Sequence, residues 1–241
     1  MNTNSNTYTI AYASIMVVIV AFLLAFVSSS LKPTQDKNVE LDKKKQILAA
    51  LNIRHLESND AVEAKYDEVV LADMIINADG QVVNEGADKD KAGFNVANKD
   101  VTPKNMPIYR CAVKGDTLYV VPMTGRGLWG GLWGYVAVKN SQEATVYGAY
   151  FSHESETAGL GALIAEEKFQ DSFKGKKLYA DSTSQQVDLT VVKNGKVEAG
   201  KEHIQVNGIT GATLTSVGVA AMVTTGLQAS DKFLRANRYL M

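Results

Sequence analysis

The apolar positions along the chain change spacing three times, and each spacing predicts a different element. From Tyr8 to Val27 the sequence is uncharged and mostly apolar, with Ile15 to Val27 almost unbroken. A helix needs about 20 such residues to cross a bilayer, so this stretch predicts one N-terminal transmembrane helix. From Lys37 to Leu51 charge dominates first, and Val39, Leu41, Ile47, Leu48 and Leu51 then recur at helical spacing. Beyond Pro107 the spacing becomes that of strands: Tyr109–Val113, Leu118–Pro122 after a Lys114-Gly115-Asp116 turn, Leu132–Val138 and Ala144–Phe151. Gln185–Val192 and Val197–Glu198 flank Asn194-Gly195, a pair that predicts a hairpin turn. Helical spacing returns at Leu163–Phe173 and from Leu214 to about Ala236, whereas residues 77–107 read as an irregular excursion.

Strands mixed with segregated helices predict an α+β domain: an antiparallel sheet with flanking helices, preceded by one membrane helix. The expected organisation is an anchor over residues 1–31, a connecting helix over 32–58 and a soluble domain over 59–241. A cleaved signal peptide is the alternative for the first segment. Such peptides carry a basic n-region and a shorter apolar core, while here no Lys or Arg precedes Lys32 and Ser28-Ser29-Ser30 is a poor cleavage site. The basic residues Lys32, Lys37 and Lys43-Lys44-Lys45 follow the span but are interleaved with Asp36, Glu40 and Asp42, so the flanking charge leaves orientation open.

Composition removes several function classes. The net charge is -1, with 25 basic and 26 acidic residues, which argues against a nucleic-acid binder. A single cysteine, Cys111, cannot form an intramolecular disulfide or a cysteine metal cluster, and it is expected as a small buried hydrophobe on a strand. No metal site, acid–base pair or nucleophile triad stands out, so no catalytic residue is expected.

Three segments carry candidate chemistry. Thr210-Gly211-Ala212-Thr213-Leu214-Thr215-Ser216 puts hydroxyls and small residues where the last helix opens. Unpaired N–H groups and the positive dipole end favour a phosphate there, although capping by Thr213 or Thr215 would explain the same pattern. Gly125-Arg126-Gly127-Leu128-Trp129-Gly130 pairs backbone freedom with a broad aromatic face. It is followed at once by Gly131-Leu132-Trp133-Gly134, whose Trp133 is expected in the core. The third segment is Ser152-His153-Glu154-Ser155-Glu156-Thr157-Ala158-Gly159-Leu160-Gly161.

Together the three resemble the FMN-binding domain family. The first is similar to its [Ser/Thr]-Gly-Ala-Thr-x-[Ser/Thr] flavinylation signature and the second to its Gly-x-Gly-Leu-Trp segment. The third is similar to its His-x-Glu-Thr-Pro-Gly-Leu-Gly segment, with Glu154 in place of the His and Ala158 in place of the Pro. The displaced His153 therefore receives no role. The resemblance implies FMN joined through a phosphoester to Thr213. It also implies cofactor contacts from Leu128, Trp129, Glu156, Thr157, Gly159, Leu160, Gly161, Gly211, Ala212, Leu214 and Thr215.

Within the family, the Gly-Leu-Trp segment, the domain length and the insert before Tyr109 favour the branch found as the C subunit in Na+-translocating NADH:quinone oxidoreductases. The alternatives are the branch found as the G subunit in Rnf-type electron transport complexes and a cofactor-free, membrane-tethered binding module. The favoured branch implies electron transfer in a complex that couples NADH oxidation and quinone reduction to sodium export. The NADH site would lie on another subunit, because no dinucleotide fingerprint is present. The implied partners are the other membrane subunits and, during maturation, a flavin transferase. The implied location is the bacterial inner membrane, single-pass, with the domain facing the periplasm.

Overall fold

A computed structural model describes residues 5–86 and 92–238. The chain divides into two compact units, Met1–Lys43 and Lys44–Met241. Helix α1 (Asn6–Ala50) accounts for the described part of the first unit and enters the second. Within the first unit it is apolar enough to cross a membrane, and its apolar side chains from Ile10 to Leu31 are exposed. The polar stretch that follows carries a Lys32–Asp36 pair one helical turn apart, at 3.1 Å.

The second unit is built on a six-stranded antiparallel sheet in the order β2-β1-β3-β4-β5-β6. The strands are β1 (Val70–Ile76), β2 (Val82–Glu85), β3 (Met106–Val113), β4 (Asp116–Arg126), β5 (Gly131–Lys139) and β6 (Thr145–His153). The last four coincide with the strands read from the sequence, and Cys111 is buried on β3 as expected. A helix α2 (Asn59–Val69), capped by the Ser58 hydroxyl, precedes β1.

Strand alternation separates the two faces of the sheet. Tyr119, Val121 and Met123 of β4, with Leu132, Val136 and Val138 of β5, join one apolar cluster. The long helix α4 (Thr213–Ala236) closes that cluster with Val219, Met222, Val223, Leu227, Phe233 and Leu234. On the other face, residues 46–54 run against β5 and β6. There Gln46 accepts from the Trp133 indole N–H at 3.1 Å, and the Asn52 and Arg54 side chains donate to the carbonyls of Tyr147 and Ala149. Trp133 is thus half-buried on the outer face and not a core residue, because an odd position on β5 points away from α4.

Two expectations of local structure change. Leu163–Phe173 is not one helix: a 3-10 turn (Gly161–Ala165) ends at an extended Glu166, and a short helix α3 (Glu167–Asp171) follows. Asn194-Gly195 does turn the chain, with Gly195 at φ +73°, but no hairpin follows. Strand β7 (Thr190–Val192) instead pairs in parallel with β8 (Gln205–Asn207). Side chains replace the missing ladder: the Gly195 N–H donates to the Asn207 side chain, and the Glu198 N–H to that of Gln205. The stretch read as irregular, 77–107, contains β2 and two 3-10 turns, and its residues 87–91 lie outside the described residues.

Candidate functional site

The three motif segments, 125–130, 152–161 and 210–216, converge at one end of the sheet, and a single side chain joins them. Glu156 is only 6% exposed. Its Oε1 accepts the backbone N–H of Trp129 at 2.8 Å, and its Oε2 accepts the Thr215 hydroxyl at 2.5 Å. Its own N–H donates to His153 Nδ1 at 3.2 Å. The carboxylate therefore bridges the β4–β5 turn and the first turn of α4 from a loop that follows β6.

The glycines make this bridge fit. The turn closes with the Gly127 N–H on the Gly130 carbonyl at 2.9 Å. Neither residue has positive φ, so close approach is what requires glycine there. A Cβ on Gly127 would lie 2.5 Å from Glu156 Oε1. A Cβ on Gly161 would lie 2.5 Å from Oε2 and 2.6 Å from the Thr215 hydroxyl. The carboxylate is gripped between two backbones that carry no side chain.

Burial pushes the Glu156 carboxyl up. Hydrogen bonds from the Thr215 hydroxyl and the N–H groups of Trp129 and Gly130, with the nearby His153, outweigh burial and hold it below the usual glutamate value. It is therefore an anion at neutral pH. No ion pair reaches it among the described residues.

Trp129, Gly161 and Thr215, which touch the Glu156 carboxylate, stand in segments that also bear exposed apolar side chains. Trp129 is 66% exposed and Leu128 47%; Leu160, beside Gly161, is 41%; Leu214, beside Thr215, is 60%, and Val217 follows on the same helical face at 58%. These five come from three separate segments. They account for most of the exposed large apolar side chains described in the second unit. Clustered apolar exposure of this kind marks a binding surface.

The Thr210–Ser216 segment sits at the helix end of that surface. Gly211 takes φ +79°, and its Cα lies close against Leu160, since a Cβ there would meet Leu160 Cδ2 at 3.0 Å. Ala212, not a threonine, is the N-cap of α4, and no side-chain hydrogen bond closes the first turn. Neither Thr213 nor Thr215 is the cap, so the first N–H groups of a 24-residue helix stay open toward an anion. The four hydroxyls of the segment differ in availability. Thr210 Oγ1 accepts from the Asn194 side chain at 2.6 Å, and Thr215 is buried on Glu156. Ser216 is buried, accepting the Ile209 N–H and donating to the Ala212 carbonyl, each at 2.9 Å. Thr213 is exposed, and its hydroxyl has no hydrogen bond among the described residues.

Thr157, Gly159 and Leu160 lie exposed on a turn that Gly159 closes at φ +72°, with the Leu160 and Ala162 N–H groups on the Thr157 carbonyl. Positive φ at Gly159 gives the sharp turn even with Ala158 where the family has proline. Sequence reasoning missed three supports: His153 as acceptor for Glu156, Asn194 as holder of Thr210, and Val217 as part of the apolar surface. Only Val217 was legible, from its spacing with Leu214. The donor set fits FMN: open helix N–H groups for the phosphate, a free hydroxyl beside them, and an apolar surface for the ring. Among the described residues no group of His, Cys, Asp and Glu could hold a metal.

The family model described as FMN-binding domain matches residues 127–228. The C subunit of the Na(+)-translocating NADH-quinone reductase of Haemophilus ducreyi is 35% identical over 236 residues, covering 90% of this chain and 88% of that one. The same subunit from Pseudomonas aeruginosa is 32% identical, covering 97% and 96%. The solved structure of the C subunit from Parabacteroides distasonis superposes with a TM-score of 0.74 at 38% identity, over 85% of this chain and 96% of that one. The Shewanella oneidensis NqrC structure, at 24% identity and a TM-score of 0.62, covers 83% and 99% and shares the fold. With relatives of 30% identity or more matched along nearly their whole length, and an FMN-binding domain matched over residues 127–228, the chain belongs to the family formed by the C subunits of Na(+)-translocating NADH-quinone reductases.

Proposed function

We propose that this chain is the FMN-carrying electron-transfer subunit of a Na+-translocating NADH:quinone oxidoreductase, with the flavin esterified to Thr213. The observation that carries the attachment site is the contrast among the four hydroxyls. Thr210, Thr215 and Ser216 are engaged with the protein, while Thr213 is exposed and unbonded where the dipole of α4 meets solvent. A phosphodiester at Thr213 Oγ1 would keep one negative charge, which the open N–H groups of the helix stabilise. Leu128, Trp129, Leu160 and Leu214 would cover the ring, and Thr157 with the turn backbone around Gly159 and Gly161 would meet its polar edge. Gly211 and Ala212 leave the phosphate room to approach the backbone. Glu156 and Thr215 act behind this surface by fixing its parts.

Bound FMN supplies single-electron transfer, and the protein supplies binding, orientation and electrostatics. Gly125–Gly130 ends one strand and turns into the next instead of opening a helix, which supports NADH oxidation on another subunit. The apolar part of α1 would anchor residues 1–31 in the inner membrane as a single pass, the stretch over 32–58 would connect, and residues 59–241 would form the flavin domain. Modification by a flavin transferase outside the cytoplasm puts that domain in the periplasm. A cofactor-free tethered module gives no reason for the exposed Trp129 platform beside an uncapped helix.

The test is covalent flavin on the full-length chain produced with a flavin transferase. After denaturation in SDS, yellow fluorescence should stay with the polypeptide, and its mass should exceed the bare chain by one FMN less water. Thr213→Val should abolish both. Because Thr213 is exposed and unbonded, the melting temperature of the unmodified chain should move by no more than about 1–2 °C. Covalent flavin on Thr213→Val would sink the assignment. An impermeant amine reagent that labels the domain only after lysis would reverse the orientation.

A further inference from the structure

We propose that Glu156 is a positioning residue that also acts electrostatically, its buried negative charge lowering the reduction potential of the flavin carried on the surface it organises. The proposal rests on the reading of Thr213 as the flavin site. Its geometry is independent of that reading. The carboxylate is 6% exposed and bridges the Trp129 N–H and the Thr215 hydroxyl, two residues beyond the attachment point. It lies directly behind Leu128, Trp129, Leu160 and Leu214, because each segment that bears one of them touches it.

Among the described residues no Lys or Arg pairs with this charge. Its bonded partners are neutral donors, His153 faces it through a ring nitrogen that accepts the Glu156 N–H, and Glu154 on the same loop is exposed and accepts the Gly131 N–H at 3.1 Å. An electron placed on a flavin over this surface therefore approaches a fixed anion, which repels it. That opposes reduction. A neutral isostere at the same place would relieve it.

Glutamine is that isostere. Its carbonyl can accept the Trp129 N–H, and its amide can donate to the Thr215 hydroxyl, so Glu156→Gln keeps both bridges while deleting the charge. Glu156→Asp keeps the charge and shortens the reach. Glu154→Gln removes an exposed charge from the same loop. Each full-length, flavinylated variant is titrated spectroelectrochemically, and its covalent flavin is quantified by mass.

The expected result is normal flavin loading in Glu156→Gln, a potential shifted to more positive values, and a smaller shift for Glu154→Gln. Glu156→Asp should hold a potential near wild type while melting at lower temperature. An unmoved or more negative potential in flavinylated Glu156→Gln overturns the proposal. So does an equal positive shift in Glu156→Asp, since geometry would then be the cause. Failure of a folded Glu156→Gln chain to load flavin also overturns it, because the charge must be dispensable for attachment. A wild-type chain without covalent flavin would instead refute the Thr213 reading on which the proposal stands, which the mass measurement reports separately.

Discussion

Replacing Gly161 with alanine tests the grip on Glu156 directly. The new Cβ would sit 2.5 Å from Glu156 Oε2 and 2.6 Å from Thr215 Oγ1, distances that no side chain tolerates, so the carboxylate must move off the hydroxyl. Losing a hydrogen bond to a charged group costs about 1.5–3 kcal/mol, and the stiffer unfolded chain returns about 0.4–1 kcal/mol. A net loss of roughly 1–2 kcal/mol should lower the melting temperature by about 2–8 °C for a unit of this size. Gly127→Ala attacks the same carboxylate from the other side, 2.5 Å from Oε1, and should cost a similar amount through the Trp129 N–H.

Because one displacement of Glu156 breaks both bridges, the two substitutions should not add. The double variant should fall short of the sum by at least about 0.5 kcal/mol, the coupling expected of sites that share a partner. Gly131→Ala is the control: its Cβ would meet only Glu154 Oε2, at an ordinary 3.5 Å. The assay is thermal or urea unfolding of the full chain in detergent, with all four variants side by side. Full additivity, or a Gly161→Ala melting temperature equal to wild type, would refute the shared-carboxylate account.

Two further predictions concern pH. The Glu156 carboxyl is held below its usual value of 4.5, so its contribution to stability is present above about pH 4.5 and is lost as the pH falls through the lower, folded-state value. Urea midpoints of wild type and Glu156→Gln should therefore converge as pH falls below that point, and parallel curves would contradict the assignment. Tyr179 behaves in the opposite sense. Burial, and then the hydrogen bond its hydroxyl donates to Asp231 at 2.5 Å, push it up to about 12 from 10.0. Its contribution is complete below pH 10 and is lost as pH rises from there through 12, so Tyr179→Phe should flatten that limb. An ultraviolet titration that finds every tyrosine ionising near pH 10 would rule this out.

The sequence exposed elements that obey one spacing throughout and concealed those held by distant partners. Strands β3 to β6 and helix α4 are apolar runs bounded by turn signals, so the elements could be read directly, although burial on both faces of β5 hid the side on which Trp133 lies. β1 could not, because Asp73 interrupts its apolar run; the carboxylate is fully buried and accepts the N–H groups of Ala92 and Phe94, about twenty residues away. The turn from β1 into β2 likewise depends on α4: a Cβ on Gly80 would lie 2.5 Å from the Phe233 nitrogen, and Lys232 pairs with Asp79 at 2.9 Å. The parallel pairing of β7 with β8 is invisible for the same reason. A local turn signal at Asn194-Gly195 predicts its nearest return strand, whereas the observed partner lies beyond a second turn at Gly200.

At the site the division is sharper, and it separates what faces a ligand from what faces the protein. Residues that would meet a flavin lie in short contiguous motifs, since a turn or a helix end offers its surface through neighbouring positions. The support behind them is assembled across the fold: a loop after β6 supplies the anion, a turn after β4 supplies an N–H, and the first turn of α4 supplies a hydroxyl. A charged carboxylate holds three such segments more firmly than a neutral acceptor would, because neutral acceptors make weaker bonds to each. It can stay charged only while all of its donors remain in place, since a buried carboxylate without donors would take up a proton. Charge and geometry at Glu156 therefore support each other. Any binding event that opens the β4–β5 turn or lifts the first turn of α4 would also raise the Glu156 pKa, which ties the electrostatics of the flavin surface to its shape.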